Sequence, residues 1–243
     1  MINLTIDRGN TTAKLVLWDG TEPTSTSTLF NADNGTLLRA IGELTFDRAA
    51  ICSVAGPVDG LEEMLGQRGV KLLTLSASTP LPVGNLYATP ATLGVDRIAA
   101  AVGAHTLYPG HELLVADIGT CVTYDRIDAE GNFTGGNIAP GIGMRLRAMH
   151  TFTKALPQVA SVGDTPIRGV STDTAMRSGA FYGVVAEVTY YNSLLGDGGL
   201  TLLTGGWSEK VAQALDFDAR LCPLLVNRGL NRILQYNLLV ELN

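Results

Sequence analysis

Apolar and polar residues alternate at the start of the chain. Ile2, Leu4 and Ile6 fall on one face of an extended segment and Asn3 and Thr5 on the other, the period-two signature of a strand. This strand ends at Asp7-Arg8-Gly9-Asn10-Thr11. A second strand-like run, Ala13 to Trp18, stops at Asp19-Gly20, a strong hairpin signal. The order returns near mid-chain. Leu113 to Ala116 leads into Asp117-Ile118-Gly119-Thr120, Cys121 to Ile127 is again strand-like, and a turn through Asp128 to Gly131 follows. This weak internal repeat splits the chain into two α/β halves, 1–110 and 111–243, meeting at the turn-prone Tyr108-Pro109-Gly110. It would place Asp7 and Asp117 at matching strand ends.

Helical spacing predicts helices over residues 95–106, 143–156, 172–195 and 227–242. The second carries Met144, Met149, Phe152 and Leu156 and is stopped by Pro157. The third carries a row of small residues (Ala175, Gly179, Gly183, Ala186) that would let another helix approach closely. The fourth has Leu230, Ile233, Leu234 and Leu238 on one face. Further strands are expected over 49–54, 71–75 and 200–204, and residues 24–28 read as a solvated loop or edge strand. Strands mixed with helices predict an α/β protein.

Composition narrows the function. Of 243 residues 46% are apolar and 16% charged, which excludes intrinsic disorder. Lys and Arg number 17 against 23 Asp and Glu, a net charge of −6, and the only lysines are Lys14, Lys71, Lys154 and Lys210. A nucleic-acid binder would need a basic face, so no nucleic-acid partner is expected. Any anionic ligand must be held by backbone amides, single arginines or a bound cation. The three cysteines are too few for a disulfide framework, and their odd number suggests a reducing compartment. The N-terminus has no basic signal-peptide region, and no uncharged apolar run approaches the ~20 residues of a membrane span. A cytoplasmic protein without a membrane partner is expected.

The familiar chemical motifs are absent: no Gly-Lys of a Walker A loop, no G-x-G-x-x-G, no G-x-S-x-G, no H-E-x-x-H and no C-x-x-C. His105 and His150 read as packing or surface residues. What remains is the pair of Asp-x-Gly turns. Asp7-Arg8-Gly9-Asn10-Thr11 offers a carboxylate, a glycine for close ligand approach and short polar side chains, a set suited to a polyphosphate with Mg²⁺. It is equally the composition of an ordinary Asx-type turn. The sister turn at Asp117 raises the functional reading. Two aspartates facing one polyphosphate would repel it unless cations intervene, so metal dependence is expected. Gly94-Val95-Asp96-Arg97 precedes a helix, where Asp96 is either a cap or a functional acid. The glycine-rich run 135–143 would open a helix and could cradle an anion there, and Thr204-Gly205-Gly206 ends a strand in similar fashion.

Taken in order, these segments resemble the type III pantothenate kinases of the acetate and sugar kinase–actin superfamily. The residues concerned are Asp7 to Thr11, Tyr87 with Gly94 to Arg97, and Asp117 to Thr120. They continue through Gly135 to Gly141, Thr151 with Leu156-Pro157, Thr172 with Ser178-Gly179, and Thr204 to Gly206. Arg8 and Cys121 depart from the family pattern, which more often has an uncharged residue and alanine there. The resemblance implies two ribonuclease H-like halves (a duplicated actin-like ATPase fold) with mixed sheets and flanking helices, and a homodimer. It implies ATP-dependent phosphorylation of the primary hydroxyl of pantothenate to 4'-phosphopantothenate, the first step of coenzyme A biosynthesis. It also implies Mg²⁺ with ATP and a monovalent cation, K⁺ or NH₄⁺.

Carried over by position, Asp7, Arg8, Gly9, Asn10, Thr11, Thr12, Ala13 and Lys14 would form the first phosphate loop and Thr120 would meet the nucleotide. Asp96 would be the base, and Tyr87, Gly94, Val95, Asp96 and Arg97 would hold pantothenate. Arg97 would pair with the pantothenate carboxylate or with developing phosphoryl charge. Asp117 would bind the monovalent cation, and Thr172 would reach pantothenate across the dimer interface. The rivals are another small-molecule kinase of the superfamily and a non-catalytic regulator binding nucleotide or pantothenate on the same fold. Retention of Asp7, Asp96 and Asp117 argues against the regulator, and the short chain argues against an actin-like assembly protein.

Overall fold

The computed structural model describes residues 1–241. In chain order they form β1 (Ile2–Arg8), β2 (Thr12–Asp19), β3 (Glu22–Phe30), α1 (Asn34–Gly42), β4 (Arg48–Ser53), α2 (Leu61–Gln67), β5 (Lys71–Thr74), β6 (Gly84–Asn85) and α3 (Val95–Leu107). The second series is β7 (Leu113–Ile118), β8 (Cys121–Ile127), β9 (Asn132–Pro140), α4 (Ile142–Phe152), α5 (Thr172–Asn192), β10 (Leu200–Thr204), α6 (Ser208–Ala212), β11 (Arg220–Leu221) and α7 (Leu225–Glu241). Two compact units result. One holds Met1–Gly110, Ala129–Thr134 and the C-terminal segment from Leu224; the other holds His111–Asp128 and Gly135–Pro223.

Each unit repeats one strand order. In the first it is β3-β2-β1-β4-β5, and in the second β9-β8-β7-β10-β11. The opening hairpin is antiparallel in both (β1 with β2, β7 with β8), and the first strand then pairs parallel with the fourth (β1 with β4, β7 with β10). This is the ribonuclease H-like order, used twice with mixed sheets. The two-residue β6 pairs parallel with Asn132 and Phe133 at the start of β9.

Strand β1 differs from its expected half-buried character. Leu4 and Ile6 bury against α1, α2 and β4 as the alternation predicts. Asn3 and Thr5 on the opposite face are buried too, because α7 covers that face and satisfies it. Asn3 Nδ2 donates to Asn231 Oδ1 (2.9 Å). Thr5 Oγ1 accepts from Trp18 Nε1 (2.8 Å) and Asn227 Nδ2 (3.1 Å). Buried polar groups are tolerated when paired in this way.

Helix α7 in turn lies against α3 with almost nothing between the backbones. A Cβ on Gly229 would collide with the Ala99 carbonyl, and one on Gly103 with the Leu225 carbonyl. The small-residue row expected to bring helices together was the one on α5. There, Gly179 opens onto free space and Gly183 admits the Arg145 guanidinium of α4, so the closest helix crossing lies elsewhere. In the second unit, β7, β8 and β10 bury Leu114, Ala116, Ile118, Val122, Tyr124 and Leu203 against Phe181, Val184 and Val188 of α5.

Predicted and observed elements differ in three further places. The helix expected to run to 156 stops at Phe152, where the Thr153 hydroxyl turns back to the Met149 carbonyl (2.8 Å). The helix expected to 195 ends at Asn192, with the Ser193 hydroxyl on the Tyr190 carbonyl (2.7 Å). The glycine-rich run does open a helix, since Gly141 is the N-cap of α4, but its first part, residues 135–140, belongs to strand β9. The edge strand around 24–28 is present as the exposed β3. The expected end of the last helix at Leu242 lies outside the described residues. Among the described residues no helix is long and apolar enough to cross a membrane.

Replacing Gly229 with Ala tests the α3–α7 crossing. The obstruction is backbone rather than a side-chain tip, so the helices must separate. Overpacking of this kind destabilises by ~1–3 kcal/mol, and alanine's better helix propensity of ~1 kcal/mol offsets only part of it. Urea unfolding is expected to show a lower midpoint at unchanged slope; equal or greater stability would mean that α7 does not approach α3 this closely.

Candidate active site

In the first unit the candidate residues gather at the C-terminal end of β1. Asp7 stands opposite Lys14 of β2 and beside Cys52 of β4 in the strand register. The turn between β1 and β2 is closed by Gly9 N–H donating to the Thr12 carbonyl (2.9 Å), and Asn10 and Thr11 are exposed at its tip. Arg8 points elsewhere: its Nη1 donates to the Pro57 carbonyl (2.9 Å), and its own carbonyl accepts from Val54 N–H (3.0 Å). The unusual arginine therefore fastens the β1–β2 turn to the segment after β4.

Cys52 was only part of an odd count in the sequence, and the structure gives it a place. It is 1% exposed. Burial pushes its thiol pKa up, and the Asp7 and Asp96 carboxylates nearby push it further. Asp7 and Asp96, from opposite ends of the half-chain, thus share one neighbour, a neutral thiol. Sequence reasoning could have found it only through the parallel register of β1 with β4, which is a long-range pairing.

Asp96 lies in the first turn of α3, half-buried, with Oδ1 accepting from Arg97 N–H (2.9 Å). The N-cap of α3 is Gly94 and no side chain caps the helix, so this contact is local support from the second residue of the first turn and not the cap that the sequence allowed. It does not exclude another role, because a carboxylate has about four acceptor positions. Gly94 makes room for it. Its φ of −56° suits any residue, but a Cβ there would stand 2.6 Å from Asp96 Oδ1. Arg97, only 6% exposed, has its guanidinium 5.7 Å from the Tyr87 ring centroid and 5.6 Å from that of Phe133. Those rings meet edge-on at 5.8 Å. Two cation–π contacts hold a desolvated charge at this place. Tyr87 and Arg97 were expected together; Phe133 was missed, because it comes from the start of β9.

In the second unit Asp117 occupies the position on β7 that Asp7 has on β1. Its register neighbours are Thr123 on β8 and Thr204 on β10, so hydroxyls stand where the first unit has a lysine and a thiol. The turn is closed by Gly119 N–H on the Cys121 carbonyl (2.9 Å). Two glycines press on it. Gly141 donates its N–H to the Thr120 carbonyl (3.1 Å), and a Cβ there would collide with the Gly119 and Thr120 carbonyls. Gly205, at φ +89°, would with a Cβ stand 2.5 Å from Asp117 Oδ1, and it leads into Trp207, whose N–H donates to the Ile118 carbonyl (3.2 Å). Cys121 is exposed. Thr172 is exposed at the first position of α5, after a capping box of Ser171 and Thr174; it sits on a different element from the Asp117 turn.

The donor set suits cations that travel with a substrate. Among the described residues no three His, Cys, Asp or Glu side chains cluster as a metal cage. Single aspartates beside glycine turns match Mg²⁺ held by one or two carboxylates together with substrate phosphates. Gly205 is needed because Asp117 Oδ1 and the Ile118 backbone approach it too closely for a Cβ.

The comparisons with known proteins agree with this chemistry. A chain from Phocaeicola vulgatus named type III pantothenate kinase is 41% identical, over 97% of this chain and 99% of its own. One of the same name from Porphyromonas gingivalis is 37% identical, over 97% and 98%. Among solved structures, a Campylobacter jejuni protein described as a Baf family transcriptional activator superposes with a TM-score of 0.64 at 22% identity, covering 96% of this chain and 98% of its own. A ROK family glucokinase from Streptomyces griseus, in complex with glucose and AMPPNP, does so with a TM-score of 0.54 at 12% identity, covering 97% and 99%. At those identities the likeness is one of fold, the actin-like ATPase fold of sugar kinases. The family model for type III pantothenate kinase matches residues 3–193, and with relatives this similar over nearly their whole length, the chain belongs to the type III pantothenate kinase family.

Proposed function

We propose that this protein transfers the γ-phosphoryl group of ATP to the primary hydroxyl of pantothenate, giving ADP and 4'-phosphopantothenate, in the cytoplasm and as the first step of coenzyme A biosynthesis. The observation that carries the reading is Asp96, held in the first turn of α3 with Gly94 cleared to make room for it, in a chain of this family. Phosphoryl transfer passes through a loose transition state, so positioning and charge neutralisation dominate. The pantothenate hydroxyl oxygen bonds to the γ-phosphorus as the bond to the β–γ bridging oxygen breaks, and the hydroxyl proton passes to Asp96.

Asp7, Arg8, Gly9, Asn10, Thr11, Thr12, Ala13 and Lys14 form the first phosphate loop, with Lys14 supplying the one lysine charge of that hairpin. Thr120 meets the nucleotide. Tyr87, Gly94, Val95 and Arg97 hold pantothenate, with the Arg97 charge on an anionic group, carboxylate or phosphoryl. When bound, Mg²⁺ with ATP and a K⁺ or NH₄⁺ ion at Asp117 supply neutralisation of phosphate charge. The protein is a homodimer built on α5, whose Ala175, Gly179 and Ala186 lie exposed, and Thr172 reaches pantothenate of the neighbouring protomer.

Substitution of Asp96 separates a base from a local structural role. Asn keeps the Oδ1 acceptor for the Arg97 N–H, so Asp96→Asn keeps its melting temperature. It loses kcat by ~10²–10⁴-fold, the usual contribution of a general base. Gly94→Ala, which displaces the same carboxylate, lowers kcat in the same direction. A normal melt with less than a ~5-fold drop in kcat for Asp96→Asn would leave the residue with a local structural role only and favour the regulator on this fold.

Activity is expected to need a monovalent cation as well as Mg²⁺. In buffer free of K⁺, Na⁺ and NH₄⁺ turnover falls, KCl restores it, and Asp117→Asn blunts the restoration without lowering the melting temperature. Full turnover without monovalent cation removes that ion from Asp117.

Light scattering is expected to give twice the 25.6 kDa protomer mass, and Gly179→Glu, at an open position, to shift it to one. A wild-type monomer at working concentration would refute both the dimer and the role of Thr172.

A further inference from the structure

Arg145 of α4 is held by two groups through three acceptor oxygens. Its Nε donates to the Pro140 carbonyl (2.7 Å), and its Nη2 donates to both carboxylate oxygens of Glu187 on α5 (2.7 and 2.6 Å). Glu187 Oε2 also accepts from Tyr124 Oη (2.7 Å). Tyr124 is 1% exposed and packs on Tyr191 with ring centroids 4.6 Å apart. Burial, and then the Glu187 acceptor, push the Tyr124 pKa up, so its hydroxyl stays a neutral donor. Gly183 of α5 leaves the space that Arg145 fills, since a Cβ there would stand 2.8 Å from Nη1. The side chain of Arg145 is 18% exposed.

What this guanidinium grips is one end of a peptide plane. The Pro140 carbonyl and the Gly141 N–H belong to the same rigid unit, and the Gly141 N–H donates to the Thr120 carbonyl (3.1 Å). Arg145 holds the oxygen of that plane and Thr120 takes its hydrogen, so rotation of the plane would move the Gly119–Thr120 backbone. The contact of Gly141 with the Gly119 and Thr120 carbonyls leaves little slack.

We infer that Arg145 and Glu187 are positioning residues for the nucleotide: through the Pro140–Gly141 peptide they set the orientation of the Gly119–Thr120 turn. This rests on the reading of Thr120 as a nucleotide contact. An arginine suits this place because its planar fork puts two separate nitrogens on Pro140 and on Glu187, whereas a lysine would have to reach both from a single nitrogen.

The test is steady-state kinetics of the full-length enzyme with ATP–Mg²⁺ and pantothenate varied separately, on Arg145→Lys, Glu187→Gln, the double variant and Thr120→Ala. Couplings relayed through packed elements shift affinity by roughly 3- to 30-fold. Both single variants are expected to raise the KM for ATP by roughly that factor while the KM for pantothenate stays within ~2-fold. The double variant should be no worse than Arg145→Lys, because the two act as one unit.

A purely structural ion pair would lower the melting temperature and move neither KM selectively, which overturns the inference. A direct Arg145–phosphate contact would also overturn it, and has the opposite sign: Glu187→Gln would release the arginine and lower the KM for ATP. If Arg145→Lys does not fold, Glu187→Gln alone decides between these outcomes. If Thr120→Ala raises the KM for ATP while Arg145→Lys and Glu187→Gln do not, the positioning role fails and the nucleotide reading survives. If Thr120→Ala has no effect and the other two do, the Thr120 hydroxyl assignment fails while the positioning of the turn stands.

Discussion

Much of the first unit depends on the near-contact of two backbones, where Gly229 of α7 meets the Ala99 carbonyl of α3. No side chain fits between them, so the two helices share one position. Helix α7 is at the same time the cover of β1, with Asn227 and Asn231 satisfying Thr5 and Asn3. Helix α3 carries Asp96 and Arg97 in its first turn. The distance from the strand end at Asp7 to the helix start at Asp96 is therefore set by a segment more than a hundred residues further along the chain. Because packed interiors transmit displacement rather than absorb it, a methyl group at Gly229 would be felt by the carboxylates.

The duplicated strand order gives both units the same device, a carboxylate at the end of the first strand followed by a glycine-closed turn. The surroundings then diverge. Asp7 has Lys14 across the hairpin and the buried thiol of Cys52 at its side, whereas Asp117 has Thr123 and Thr204. The same scaffold thus sets two different surroundings around equivalent carboxylates with a few changes of side chain.

The turns themselves were legible early because they are local. Asp19-Gly20 does end the β2 strand, the strands at 2–8, 12–19, 113–118 and 121–127 follow their alternation, and the α3 helix begins beside Gly94. Short-range sterics and the period of apolar residues decide such features. The strand at 132–140 was not legible, since its glycines and proline read as a breaker. It becomes a strand by pairing with β8 across the intervening turn. Phe133 and Cys52 were invisible for a different reason: each joins the candidate site through a register that no local pattern records.

The sequence by itself determined that the chain is α/β and that its strand order is duplicated, and it singled out Asp7, Asp96 and Asp117 as candidates. Those properties are written in periodicity, turn chemistry and an ordered series of short motifs. Only the tertiary structure decided which glycines matter for close approach. Within the described chain these are Gly103, Gly229, Gly141 and Gly205; on α5, Gly183 faces the Arg145 guanidinium and Gly179 is left open to a neighbour outside the chain. Only it showed Arg97 against two touching rings and Arg145 on the peptide beside Thr120. The reason is physical: a missing Cβ or a buried charge has meaning only through the atom facing it, and that atom is supplied by a distant part of the chain.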